Sequence, residues 1–248
     1  MKVQTVDSFI ESHGIKMLIT GESGVGKTRS AISLKESGFK PLIVSAESGV
    51  LSLQGSGIPM IDIARNDDGK EIPMEKRFDR LGEVFKWLKL GQKDYDTVML
   101  DSLTEVNQTL MASLNAKYPD RKDSLPKYGE NSETMLKLVR AFRDLPYHVV
   151  IVSLSEVEKD DIGRRFTTAS VIGKVANFLP SLMDEVLNLQ IFQDDHGKVT
   201  RRFQCSPSGQ IVCKDRSGKL DAYEPADLGK IFLKIQGKQI AETTKEQK

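Results

Sequence analysis

The sequence predicts an α/β fold, with a mainly parallel central sheet flanked by helices and C-terminal antiparallel strands and hairpins extending that sheet. Three observations carry this. Short, unbroken apolar runs rich in β-branched residues recur along the chain, as expected of strands covered on both faces. Helical periodicities lie between them, the alternation that builds a parallel sheet through crossover helices. After residue 183 the texture changes to strand-like segments separated by turn signals.

The predicted strands, in order, are "KMLIT" (16–20), "PLIVSA" (41–46), "TVMLDS" (97–102) and "HVVIVSLS" (148–155). A helix is expected over 27–37, stopped by Gly38. A second is expected over 74–91, where Phe78, Leu81, Val84, Phe85 and Leu88 recur at three- and four-residue spacing. A third spans 131–145, with Ser132 as its cap. Beyond 183, "DEVLNLQIFQ", "KVTRRFQCS" and "GQIVCK" are divided by "DDHG" and "SPSG". The expected organisation is one domain over residues 1–240, with an α/β core at 14–183, an antiparallel extension at 184–235, and a polar tail at 241–248.

Composition excludes several classes. With 39% apolar and 29% charged residues in 248, the chain can bury a sizeable core. No run approaches the ~18 apolar residues of a membrane span. The first residues, "MKVQTVDSFIESHG", lack a signal-peptide pattern, so a cytoplasmic location is expected, in the host cell if the chain is phage-encoded. Cys205 and Cys213 are too few for a disulfide scaffold and are expected to be reduced thiols. His13, His148 and His196 stand apart from both, so no metal site made of protein ligands alone is expected. A net charge of +1 is not that of a generally basic nucleic-acid binder.

The most specific motif is "GESGVGKT", a full match to G-x-x-x-x-G-K-[ST] between a predicted strand and a predicted helix. Glycines let the backbone curl so that successive N–H groups point at phosphate oxygens, and the following helix aims its positive end at them. The binding stretch is therefore Gly21, Glu22, Ser23, Gly24, Val25, Gly26, Lys27, Thr28 and Arg29. Lys27 is expected on the β- and γ-phosphates of ATP, and the Thr28 hydroxyl on Mg²⁺. Asp101, at the end of an apolar strand, is the expected metal-side carboxylate, acting through water. Glu47 ends the strand after the loop's helix. Ligands of open parallel sheets sit beyond the carboxyl ends of the strands, so Glu47 faces the same crevice and can deprotonate the attacking water.

The order of these elements resembles the RecA-like ATPase core, over about residues 14–235. The short form is most similar to phage-encoded RecA-like ATP-binding proteins of single-strand annealing and recombination. "IVCKDRSGKL" (211–220) resembles the Lys-x-Arg element of RadA-type members. That likeness implies that Lys214 and Arg216 reach the γ-phosphate held by a neighbouring subunit. Two residues apart on a strand, they would share a face and could aim at one anion; the alternative is a surface hairpin with solvated cations. The resemblance also places a γ-phosphate sensor near the end of the fourth strand. Ser155 is the nearest match, although its hydroxyl is shorter than the usual Gln, Asn or His.

The resemblance further implies two DNA-facing loops. The first falls at about 113–131, offering Arg121, Lys122 and Lys127 among tyrosines that can stack on bases. The second falls at about 156–175, where a hairpin turn at 160–163 presents Arg164 and Arg165, and Lys174 follows. The implied function is a DNA-stimulated ATPase acting on single-stranded DNA as a head-to-tail ring or filament. A single-strand-binding protein is a candidate partner. A small ring helicase or packaging-type motor, and a nucleotide-switched protein-binding module, are the alternatives.

Overall fold

The computed structural model describes residues 3–119, 125–159, 162–173 and 175–238. Strands β1 (Lys16–Thr20), β2 (Pro41–Ser45), β3 (Met60–Asp62), β4 (Thr97–Asp101) and β5 (His148–Val152) run parallel. β8 (Glu185–Gln193) continues the sheet in parallel on the other side of β1. β9 (Val199–Gln204), β10 (Lys214–Asp215) and β11 (Tyr223–Pro225) then add antiparallel pairings, as the change of texture after 183 predicts. Among the described residues these nine strands form one sheet in the order β11-β9-β8-β1-β5-β4-β2-β3, with β10 beside the start of β8. β6 (Ser155–Lys159) and β7 (Arg165–Ala169) form a separate antiparallel hairpin.

The helices are α1 (Val6–His13), α2 (Ala31–Glu36), α3 (Met74–Lys89), α4 (Leu103–Lys117), α5 (Leu125–Arg143), α6 (Val175–Leu182) and α7 (Leu228–Gln236). Alternation along each strand sorts the core into two layers. Met17 and Ile19 of β1, with Met99 and Val150, pack under α2 and α7. Leu18, Leu100 and Ile151 face α3, α4, α5 and α6. The layer under α2 depends on one close approach: a Cβ at Gly229 would lie 2.3 Å from the Ser33 backbone oxygen. Glycine there lets α7 press onto α2, which carries the phosphate loop.

Three expectations are corrected. The helix expected over 27–37 is a 3₁₀ turn at Thr28–Ser30 followed by the short α2. The Ser30 N–H is shared between the Gly26 and Lys27 carbonyls, which tightens that turn. The strand expected to reach 155 stops at Val152, because Ser155 already pairs in β6. Of the loop expected at 113–131, the described residues are largely helical, with α4 running to Lys117 and α5 starting at Leu125, and 120–124 lie outside the described residues. Ser102 caps α4 and Leu110 and Leu114 continue its buried face, so nothing breaks that helix before Lys117.

Candidate nucleotide-binding site

β1 is buried throughout and delivers the chain to Gly21 at the carboxyl edge of the sheet. Val25 is 3% exposed and plugs the loop into the layer beneath α2. Gly26 takes φ of 108°, a conformation that side-chain-bearing residues rarely adopt. Glu22, Ser23 and Gly24 are exposed at the mouth, as is Arg29 in the turn that follows.

Lys27 is buried, and its ammonium folds back to donate to the Gly21 carbonyl at 2.8 Å and the Glu22 carbonyl at 2.7 Å. Burial pulls its pKa down, opposed by the carboxylates of Asp101, Glu47 and Glu22. The Thr28 hydroxyl donates to Asp101 Oδ2 at 2.5 Å. Asp101 is 5% exposed at the end of β4. Burial raises its pKa and the Glu47 charge adds to that, while the Thr28 hydrogen bond and Lys27 pull the other way.

Glu47 reaches this group because Ser45 of β2 is in register with Asp101 of β4. The residues that follow each strand therefore abut, and the Ser102 hydroxyl donates to Glu47 Oε1. Ser102 thus holds Glu47, and it also accepts from the Glu105 N–H at the start of α4. The Ser48 N–H donates to Ser45 Oγ at 3.2 Å, pinning the turn behind Glu47. Four sequence-predicted residues, Lys27, Thr28, Asp101 and Glu47, are brought together at one edge. Their donors are all oxygen or a single ammonium, and Thr28 with Asp101 suits a hard cation that keeps most of its water. Among the described residues no cluster of three or more His, Cys, Asp or Glu could hold a metal by itself.

Ser155 also lies at the loop, and its backbone N–H donates to the Gly21 carbonyl at 3.1 Å. It lines, with Glu22, Ser23, Asn188 and Gln190, a cavity of about 310 Å³ beside the loop. Two hydroxyls that sequence reasoning missed join the end of β5 to α4: Thr104 Oγ1 and Ser153 Oγ are 3.0 Å apart, and Thr104 accepts from the Leu154 N–H. Arg201 was also missed; its Nε donates to the Val25 carbonyl at 2.9 Å.

Lys214 and Arg216 lie at the opposite edge of the sheet. β10 pairs Lys214 with Val186 and Asp215 with Glu185, level with Leu18 and Met17 of β1, and the Arg216 N–H donates to the Asp184 carbonyl, level with Lys16 and about 16 Å along the strand from Gly21. The expected same-face pair does not form, because the strand ends at Asp215 and the two cations have different partners. The Lys214 ammonium donates at 2.8 Å to the Pro180 and Met183 carbonyls at the end of α6. Arg216 Nη1 pairs with Asp184 at 2.6 Å and stays 54% exposed.

The basic candidates for DNA divide. Arg121, Lys122 and Lys174 lie outside the described residues. Lys127 sits in the first turn of α5 and donates to Asn115 at 3.3 Å, not from a loop. Arg164 and Arg165 are exposed on the β6–β7 hairpin, and Asp160 and Asp161 of the turn expected at 160–163 lie outside the described residues. Cys205 and Cys213 are buried free thiols, and burial pushes both up to about 12.

No curated protein sequence matches the chain. Among solved structures, a prototypical ATPase from the type III secretion system of pathogenic bacteria aligns at 16% identity with a TM-score of 0.44, covering 73% of this chain. The chain spans only 54% of that ATPase. Residues 13–217, well over half of the chain and including every group of the loop site, match the AAA domain family. The chain belongs to the AAA domain family.

Proposed function

We propose that this protein is a RecA-like ATPase acting on single-stranded DNA in phage recombination and annealing, with ATP held between head-to-tail subunits in the host cytoplasm. The observation that carries hydrolysis is the convergence of Lys27, Thr28, Asp101 and Glu47 at the mouth of the phosphate loop. The loop N–H groups cradle the phosphates, and Lys27 exchanges the Gly21 and Glu22 carbonyls for β- and γ-phosphate oxygens. Glu47, oriented by Ser102, takes the proton of the attacking water. Thr28 and, through water, Asp101 would hold magnesium, which would supply charge neutralisation of the phosphates.

Arg216 lies too far from its own loop to touch its own nucleotide, so its role requires a second copy. In a head-to-tail assembly the two edges of the sheet meet, and Arg216 can exchange Asp184 for the neighbour's γ-phosphate. Lys214, held by α6, fixes β10 and so aims Arg216. It acts on the phosphate only if it leaves those carbonyls.

The DNA reading is supported by the origin of the β6–β7 hairpin. It starts at Ser155, one hydrogen bond from Gly21, and presents Arg164 and Arg165 at its tip. A change at the loop on nucleotide binding is therefore transmitted to the exposed Arg164 and Arg165, and Ser155 serves as the sensor. Among the described residues no helix is long and apolar enough to cross a membrane. The near-neutral charge of +1 favours a second reading, a nucleotide-switched module for a protein partner. Phosphate release measured with and without single-stranded DNA separates the two. Stimulation that weakens with salt supports the first. An unchanged rate across the salt range removes DNA from the account.

A further inference from the structure

We infer that Arg201 is a positioning residue of the phosphate loop, making the antiparallel extension part of the nucleotide site. The inference rests on the loop binding ATP, and it concerns how the loop is set. Arg201 lies on β9, 176 residues from Val25, and its Nε–H donates to the Val25 carbonyl at 2.9 Å. Its Cδ and Nε also pack over Gly26, each 3.6 Å from where a Cβ would stand.

The peptide between Val25 and Gly26 is planar and trans, so its C=O and N–H point in opposite directions. Holding the Val25 carbonyl outward against Arg201 turns the Gly26 N–H to the loop's inner side, where an anion is received. A cationic donor on the carbonyl also polarises the peptide and strengthens the N–H as a donor. The buried Val25 side chain holds one side of this peptide, and Arg201 holds its oxygen. Without Arg201, the Val25 carbonyl can rotate, and Gly26 is the residue least able to resist.

The neighbouring Arg202 provides an internal control. Successive strand residues point to opposite faces. Arg201 shares a face with Phe203, which is buried beneath α2 and α7, whereas the Arg202 guanidinium lies 5.7 Å from the centre of the Phe192 ring.

The test is ATP affinity by titration with a fluorescent ATP analogue, alongside steady-state hydrolysis. Arg201→Met keeps an apolar stem over Gly26 and removes the donor, and Arg201→Ala removes both. Each is expected to weaken ATP binding and raise KM by about tenfold, the scale of a charged hydrogen bond. The rate at saturating ATP should stay within about twofold, since Glu47, Asp101 and Thr28 are untouched. Arg201→Lys, still able to donate to Val25, should recover most of the affinity, and Arg202→Ala should match the wild type. Wild-type affinity in Arg201→Met, or equal weakening by Arg202→Ala, would overturn the inference. If the wild-type protein binds no ATP, the nucleotide reading itself fails and takes this one with it.

Discussion

The two edges of the central sheet carry similar charges and handle them differently. At the carboxyl edge, Lys27, Asp101 and Glu47 surround a loop whose shape suits an anion. At the amino edge the charges are bound into the fold. Lys16 donates to the Leu145 and Tyr147 carbonyls, Lys214 to Pro180 and Met183, and Arg216 to Asp184. Burial draws Lys16 down to about 8, and burial with the Asp215 carboxylate pushes Glu185 up to about 8. The lesson is that a cation becomes available for chemistry when its protein partner is exchangeable. Lys27 satisfies this through carbonyls at the loop mouth, and Arg216 through an exposed carboxylate. Lys214 does so only if it leaves the two carbonyls at the end of α6.

Substitutions at the two edges should therefore fail in different ways. Glu47→Gln removes the proposed base and is expected to lower kcat on the order of 10²–10⁴-fold. ATP affinity and the thermal midpoint should hardly move, which phosphate release, nucleotide titration and calorimetry would check. A large loss of stability in this variant would erase the contrast. Lys214→Met leaves two α6 carbonyls without their donor and should cost about 1–2 kcal/mol in denaturant unfolding. Nucleotide affinity at the far edge should be unchanged.

A smaller effect sharpens the amino edge. Glu185 has a folded pKa of about 8 against an ordinary 4.5. Between those values the folded state holds a proton that the unfolded state has lost. Its contribution is thus fully present below about pH 4.5 and is lost as pH rises through 8. Wild-type protein should lose stability relative to Glu185→Gln between pH 5 and 8; parallel pH profiles would refute the buried, protonated carboxyl. The smallest effect on stability should come from Arg216→Ala, whose pair with Asp184 is half-exposed and worth about 1 kcal/mol or less. If unfolding shows a much larger loss, Arg216 is a structural residue and unsuited to act in trans.

Much of the site was legible because its parts are short-range. The loop is a contiguous motif, and Asp101 and Glu47 each end an apolar strand. The parallel register that pairs Ser45 with Asp101 then brings them together. Helix α4 was hidden because its buried face includes Asn107 and Thr109, which blur the apolar period. Asn107 is there for a tertiary reason: it donates to Asn131 and accepts from the Ile172 N–H. Arg201 and the Thr104–Ser153 pair were invisible because their partners are set by packing between distant segments. Spacing alone showed that Lys214 and Arg216 could face one anion, but not that α6 would claim the first.

In the proposed assembly each loop is half of a site completed by another copy. Glu47→Gln and Arg216→Ala proteins, each inactive alone, should regain hydrolysis when mixed in equal amounts. Random head-to-tail pairing puts an intact Glu47 opposite an intact Arg216 at about a quarter of interfaces, so about a quarter of the wild-type rate is predicted. A rate no higher than the average of the two parents, with co-assembly demonstrated by light scattering, would contradict a shared site.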